Sequence, residues 1–233
     1  MRWIRVPSGL TVTPSIAVLA ALLSTSIAGA QNSSNGARFV VVLDAAHGGD
    51  DAGGRLASGQ VEKAATLALS VRLRSLLAAR GMTVVTTRES DVTVDPEKRA
   101  EIANHAKAAA CLSLHATESG AGIHIFTSSL APSEPGQFVP WKTAQAGWVT
   151  RSLALVGALN SALLKEGFNV TLSRTDLIGV DNMTCPALAI EIAPLRGADG
   201  KVTAEADDAD YQAHLANTLA TALLAWRLEA HQP

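Results

Sequence analysis

Phe39-Val40-Val41-Val42-Leu43-Asp44-Ala45-Ala46-His47-Gly48-Gly49-Asp50-Asp51 is the stretch on which the reading of this chain turns. Its first five residues are apolar without a break and mostly β-branched, the pattern of a strand buried on both faces. An acid, a histidine and two glycines follow, so the strand ends in a loop that carries ionisable groups. Lys63 to Arg80 then places Leu69, Leu73, Leu76 and Leu77 on one helical face, with Gly81 as its C-terminal cap. A buried strand leading through a glycine-rich loop into a helix is the opening of an α/β unit.

The alternation continues outward. Thr83 to Thr87 reads as a second strand, and Asp95 as an N-cap before Pro96, opening a helix through Lys107. Ala110 to Leu114 and Gly122 to Phe126 read as strands. Ser128 to Trp141 holds Pro132, Pro135 and Pro140 and reads as an irregular loop. Ala146 to Glu166 is a long helix ended by Gly167, Asn169 to Leu172 a short strand, Ala187 to Ile192 a buried one, and Asp208 to Leu228 a closing helix. The pattern predicts an α/β fold: a single domain with a mostly parallel twisted sheet and helices on both faces. No internal repeat is present.

Composition narrows the function. With 19 basic against 21 acidic residues, the chain lacks the cationic surface that nucleic acid requires. No run of ~20 apolar residues occurs, so a polytopic membrane protein is excluded. Aromatic residues make up only 4% of the chain, leaving few ring faces on which sugars could stack. Arg2 and Arg5, the apolar run Ile16 to Ile27 and Ala28-Gly29-Ala30 read as a cleaved export signal over residues 1–30. Residues 31–37 read as a flexible leader, and 38–233 as the folded domain. The apolar run is too short for a membrane anchor, and no cysteine follows the cut to carry a lipid. The mature chain, 17 basic against 21 acidic residues, is expected outside the cytoplasm, periplasmic or secreted, and monomeric. There its two cysteines, Cys111 and Cys185, meet an oxidising compartment: they can pair if their strands are neighbours, and are small core residues if not.

In a sheet of this kind functional groups gather beyond the carboxyl ends of the strands. The first strand leads to Asp44 and His47, the third to Ser113-Leu114-His115-Ala116, and the run from Ala187 carries Glu191 near its end. Glu62 opens the first helix. Two imidazoles and a carboxylate form the donor set of a catalytic zinc site, with one position left for water, and a second carboxylate would serve as general base. Each residue also has a plain structural role open to it: loop histidine for His47, strand-end histidine for His115, first-turn acid for Glu62. Glu191 is harder to explain that way, because an acid in a strand buried on both faces costs heavily unless paired. Asp44 is a candidate acceptor for a ligand imidazole, or else caps the next turn. A competing carboxypeptidase-like set takes His115 and Glu118, with His214 as third ligand, but leaves His47 and its glycines without a role.

These motifs together resemble the zinc-dependent N-acetylmuramoyl-L-alanine amidases of the amidase 3 type. The similarity runs through Val41 to Gly53, Glu62-Lys63, Thr87-Arg88-Glu89-Ser90-Asp91, Arg99 with Ala103-Asn104, Ser113 to Ala116 and Pro186 to Glu191, in the family's order. It implies a phosphorylase/hydrolase-like sheet, one Zn2+ on His47, Glu62 and His115, and Glu191 as catalytic glutamate. The implied substrate is the amide between N-acetylmuramic acid and L-alanine in peptidoglycan. The alternative from another class is a non-catalytic zinc-containing protein that grips wall peptides on the same fold. The chain departs from the family pattern at Ala46, usually glycine, at Thr117, usually asparagine, and over Ile192 to Gly197. In some relatives an inserted helix blocks the zinc until an activator protein binds. Ser128 to Trp141 is the place for such an insert, and its length and prolines make it at most a lid, so an accessible site is expected.

Overall fold

The computed structural model describes residues 38–134 and 136–230; residues 1–37, read from the sequence as export signal and leader, lie outside them. A six-stranded sheet runs in the order β2-β1-β3-β6-β4-β5, with β1 at Val40–Ala45, β2 at Thr83–Thr86, β3 at Ala110–Ala116, β4 at Ile123–Ser128, β5 at Val170–Thr175 and β6 at Ala187–Ile192. Every pairing is parallel except that of β4 with β6. The mostly parallel sheet is therefore as expected, and β4 and β5 run against the rest. A short hairpin, β7 (Leu195–Arg196) and β8 (Val202–Ala204), follows β6; no apolar alternation in the sequence marks it.

Strand alternation divides the core into two layers. Val41, Leu43, Leu112, Leu114, Ile123, Ile125, Leu188 and Ile190 pack with the helices α1 (Glu62–Ala79), α3 (Val149–Lys165) and α4 (Ala209–Ala230). The opposite face carries Val42, Cys111 and Ala187 against Ala100 and Ala103 of α2 (Pro96–Ala106), with Val180, Met183 and Cys185. Helices thus cover both faces, but unequally, three against one. The long helix expected from Ala146 is shorter: a 3-10 segment, Trp141–Gly147, precedes α3. There the buried Gln145 amide donates to the carbonyls of Met183 and Cys185.

Cys111 and Cys185 form a disulfide with their Cα atoms 6.3 Å apart. Cys111 sits in β3 and Cys185 just before β6, so the pair bridges neighbouring strands on the thinly covered face. The loop after β4 leaves from the end of that strand opposite Ala187, the start of β6. It does not emerge at the rim where Glu191 lies, because antiparallel β4 carries it to the far side of the sheet.

Candidate metal centre

At the end of β1 the chain makes a tight turn. Gly48 and Asp51 exchange two backbone hydrogen bonds, of 2.8 and 3.2 Å. His47 itself takes φ 62°, a left-handed conformation that costs a residue with a Cβ about 1–3 kcal/mol. Ala46, where the family pattern has glycine, stays outside that region; the strain falls one residue later.

Two buried arginines hold this turn. Arg99 donates through Nη1 to Asp44 Oδ1 (2.6 Å) and the Ala45 carbonyl (2.7 Å), and through Nη2 to the His47 carbonyl (2.7 Å). Arg88 donates to the carbonyls of Ala45, Ala46 and Lys63. A guanidinium presents several donors in a fixed plane, so each arginine can gather carbonyls from converging segments. Asp44 accepts from Arg99, Thr87 (2.7 Å) and Ser113 (2.8 Å), and not from a ligand imidazole. Its role is to anchor Arg99. Deleting one partner of such a buried pair costs about 3–5 kcal/mol.

His47, Glu62 and His115 converge, with ligand atoms all within 4.8 Å of one another. Glu62 is the first residue of α1, and the loop 48–61 folds back so that its N–H reaches the Gly54 carbonyl at 2.8 Å. Its carboxylate takes both imidazoles: Oε2 lies 3.0 Å from His47 Nε2, and Oε1 3.0 Å from His115 Nδ1. The N–H groups of Gly54 (2.9 Å) and Ala116 (3.2 Å) complete its partners. Burial alone would raise the Glu62 carboxyl, but hydrogen bonds from His115 and His47 outweigh it and hold the group well below the usual carboxylate range. His47 is raised by its hydrogen bond to Glu62, against the opposing effect of burial, and further by Asp51. The two rings stand edge to face, 5.6 Å between centroids.

Asp51 is the partner that the sequence does not mark. Its Oδ2 sits 2.8 Å from His47 Nδ1, which leaves Nε2 to face Glu62. A carboxylate on the far nitrogen of an imidazole fixes ring orientation and makes the near nitrogen a better donor. Two imidazoles and one ionised carboxylate with preset orientation are a donor set that fits zinc.

Glu191 pairs across the sheet with His115 on β3 and with His124 on β4. Its Oε2 lies 2.9 Å from His124 Nδ1. The expectation that Glu191 sits in a strand covered on both faces does not hold: its side chain is 32% exposed. α2 packs over the Val42, Cys111 and Ala187 end of that face and stops short of the rim. The site is accordingly an open face of the sheet, with the His115 side chain 35% and that of His47 23% exposed. None of its hydrogen-bond or ion-pair partners among the described residues comes from the loop 129–140.

The competing set does not assemble. Glu118 is exposed. His214 lies on α4, on the other side of the sheet, against Phe168 (4.7 Å between rings) and Glu166 (3.5 Å). Neither joins His115 in a cluster of possible ligands among the described residues, while Glu62 already occupies Nδ1 of that histidine.

The sequence model of the N-acetylmuramoyl-L-alanine amidase family, type 3, matches residues 41–225. The chain is 35% identical over 99 residues to N-acetylmuramoyl-L-alanine amidase AmiA of Escherichia coli (strain K12), covering 41% of this chain and 34% of that protein. It is 33% identical over 90 residues to the germination-specific N-acetylmuramoyl-L-alanine amidase of Bacillus subtilis (strain 168), covering 33% of this chain and 38% of the relative. These matches span about a third of each curated relative's length. Among solved structures, an N-acetylmuramoyl-L-alanine amidase from Clostridium difficile 630 superposes with a TM-score of 0.65 at 20% identity, over 84% of this chain and 99% of that one. Ami1 of Mycobacterium smegmatis gives 0.65 at 19%, over 82% and 97%. At these identities the two structures speak for the fold.

Proposed function

The chain belongs to the N-acetylmuramoyl-L-alanine amidase family, and from that premise we propose that it is an exported zinc amidohydrolase acting on peptidoglycan. The bond cleaved is the amide between the lactyl group of N-acetylmuramic acid and L-alanine. The observation that carries this is the meeting of His47 Nε2, His115 Nδ1 and the buried Glu62 carboxylate at the carboxyl rim of β1 and β3. These three residues would hold the zinc. When bound, zinc supplies a water of lowered pKa and a positive charge against which the scissile carbonyl can polarise.

The chain's own residues do the rest. Glu191, one strand beyond His115 on the same face, takes the proton of the attacking water and returns it to the leaving amine. Asp51 keeps the His47 ring turned toward Glu62. Arg88 and Arg99 keep the turn that carries His47 in its strained conformation. An open face rather than a closed cavity suits a polymer, which must enter from the side. An exported enzyme also matches the reading of residues 1–30, and no described helix is long and apolar enough to cross a membrane.

Digestion of purified peptidoglycan followed by mass spectrometry tests the reading. Stem peptides with a free N-terminal alanine are expected, alongside glycan chains of unchanged length. Cleavage inside the stem, or binding without release, would overturn it.

A glycine on this loop provides a local check. Gly53 has φ +66°, and a Cβ there would lie 2.6 Å from His47 Cδ2 and 2.7 Å from Glu62 Oε2. Next to it, a Cβ on Gly54 would meet Glu62 Oε2 at an ordinary 3.5 Å. Gly53→Ala should weaken zinc binding by roughly 10–100-fold, the range seen when ligand orientation is disturbed. Gly54→Ala should leave it nearly unchanged. Zinc titration of both variants against a chromophoric chelator reads the difference.

A further inference from the structure

His124 has no role in the proposed reaction, yet it makes the one side-chain hydrogen bond that Glu191 has among the described residues. It lies directly opposite Glu191 in the antiparallel β4–β6 pair, while His115 is the partner of Glu191 on the other side. The three side chains therefore form a row across three strands, and Glu191 is its centre. A carboxylate acting as a base can only accept, so in that role the 2.9 Å contact calls for the His124 tautomer with its proton on Nδ1.

The ring is itself held. Gly120 backs it at φ +80°, and a Cβ there would come within 2.6 Å of His124 Cε1. Arg196, from the hairpin after β6, donates to the Gly120 carbonyl at 3.1 Å and fixes that backing strand of chain. Phe126 meets the ring edge-on at 6.3 Å. The side chain is 18% exposed, against 32% for Glu191. A ring packed on its back, flanked by an aromatic edge and aimed at one carboxylate oxygen, is arranged to fix a rotamer.

We propose that His124 is a positioning residue for Glu191: Nδ1–H holds Oε2, so that Oε1 is presented to the water. This rests on the reading of Glu191 as the base. Among the described residues no other hydrogen bond or ion pair holds that carboxylate, so loss of His124 frees it to rotate away while the zinc ligands stay as they are.

The test compares His124→Ala, His124→Asn and His124→Phe with the wild type and with Glu191→Gln, all at measured zinc content. His124→Ala should lower kcat by roughly 10–100-fold with KM and zinc content unchanged. His124→Asn, whose amide can donate from nearly the position of Nδ1, should recover most of the loss; His124→Phe, which fills the space without a donor, should not. In metal-free protein, proton–nitrogen spectra should show a slowly exchanging Nδ1–H at His124 that is lost in Glu191→Ala. Equal rates for Ala and Asn variants, or a wild-type rate for His124→Ala while Glu191→Gln is inactive, would overturn the positioning role alone. A wild-type rate for Glu191→Gln would overturn the assignment of the base, and this inference with it.

Discussion

Glu191→Gln should reduce peptide release from peptidoglycan by about 10²–10⁴-fold, the usual worth of a positioned general base, with zinc content unchanged. The substitution keeps the shape of the side chain and an oxygen for His124 to reach, so strand β6 and its neighbours need not move. What is lost is the ability to accept a proton from water. Dye release from labelled peptidoglycan measures this, provided both proteins are compared at equal metal occupancy. The same experiment separates the enzyme from a non-catalytic binder on the same fold. A binder has no use for a base on an open rim, and the variant would match the wild type in both binding and release.

The second large effect is at Glu62. Among the described residues this carboxylate is the one group in hydrogen-bond contact with both His47 and His115, and it also accepts from two backbone N–H groups. Glu62→Ala removes the anionic donor and leaves the two imidazoles facing a gap. Zinc affinity should fall by more than the roughly 10–100-fold that follows loss of an outer partner. At ordinary protein concentration the stoichiometry should drop from one zinc per chain to nearly none, with activity at background. Metal analysis after dialysis checks this, and far-ultraviolet circular dichroism shows whether the helices survive. An active, zinc-free Glu62→Ala protein would rule out the ligand set.

Much of this was readable along the chain, for reasons that can be named. Ala187–Ile192 was legible to the residue because apolar runs of strand length, bounded by proline at both ends, leave little freedom. His47 and His115 follow from where strands end, and Glu62 from where the glycine loop returns. What could not be read depends on which strand lies beside which. His124 alternates with Ile123 and Ile125, which fixes it to one of two faces but not which. Only the reversed direction of β4 beside β6 brings it to Glu191. Asp51 is four residues from His47 on a turn whose shape depends on arginines 41 and 52 positions away from that histidine. Asp44 was open to a misreading for the same reason: its partner Arg99 comes from a distant helix. Glu191 was taken as buried because its strand is apolar throughout, yet Ala187 and Ala189 are short and α2 covers only the nearer part of their face.

The disulfide has a consequence for the candidate site that goes beyond joining two strands. Cys111 lies four residues before His115 on β3, and Cys185 six before Glu191 at the entry to β6. Side chains on a strand alternate between faces, so a slip of one residue between these two strands would turn Glu191 into the layer of Leu188 and Ile190. The cross-link works as a ratchet pin. It fixes the phase of one strand against the other, and so keeps His115 and Glu191 on the same side of the sheet.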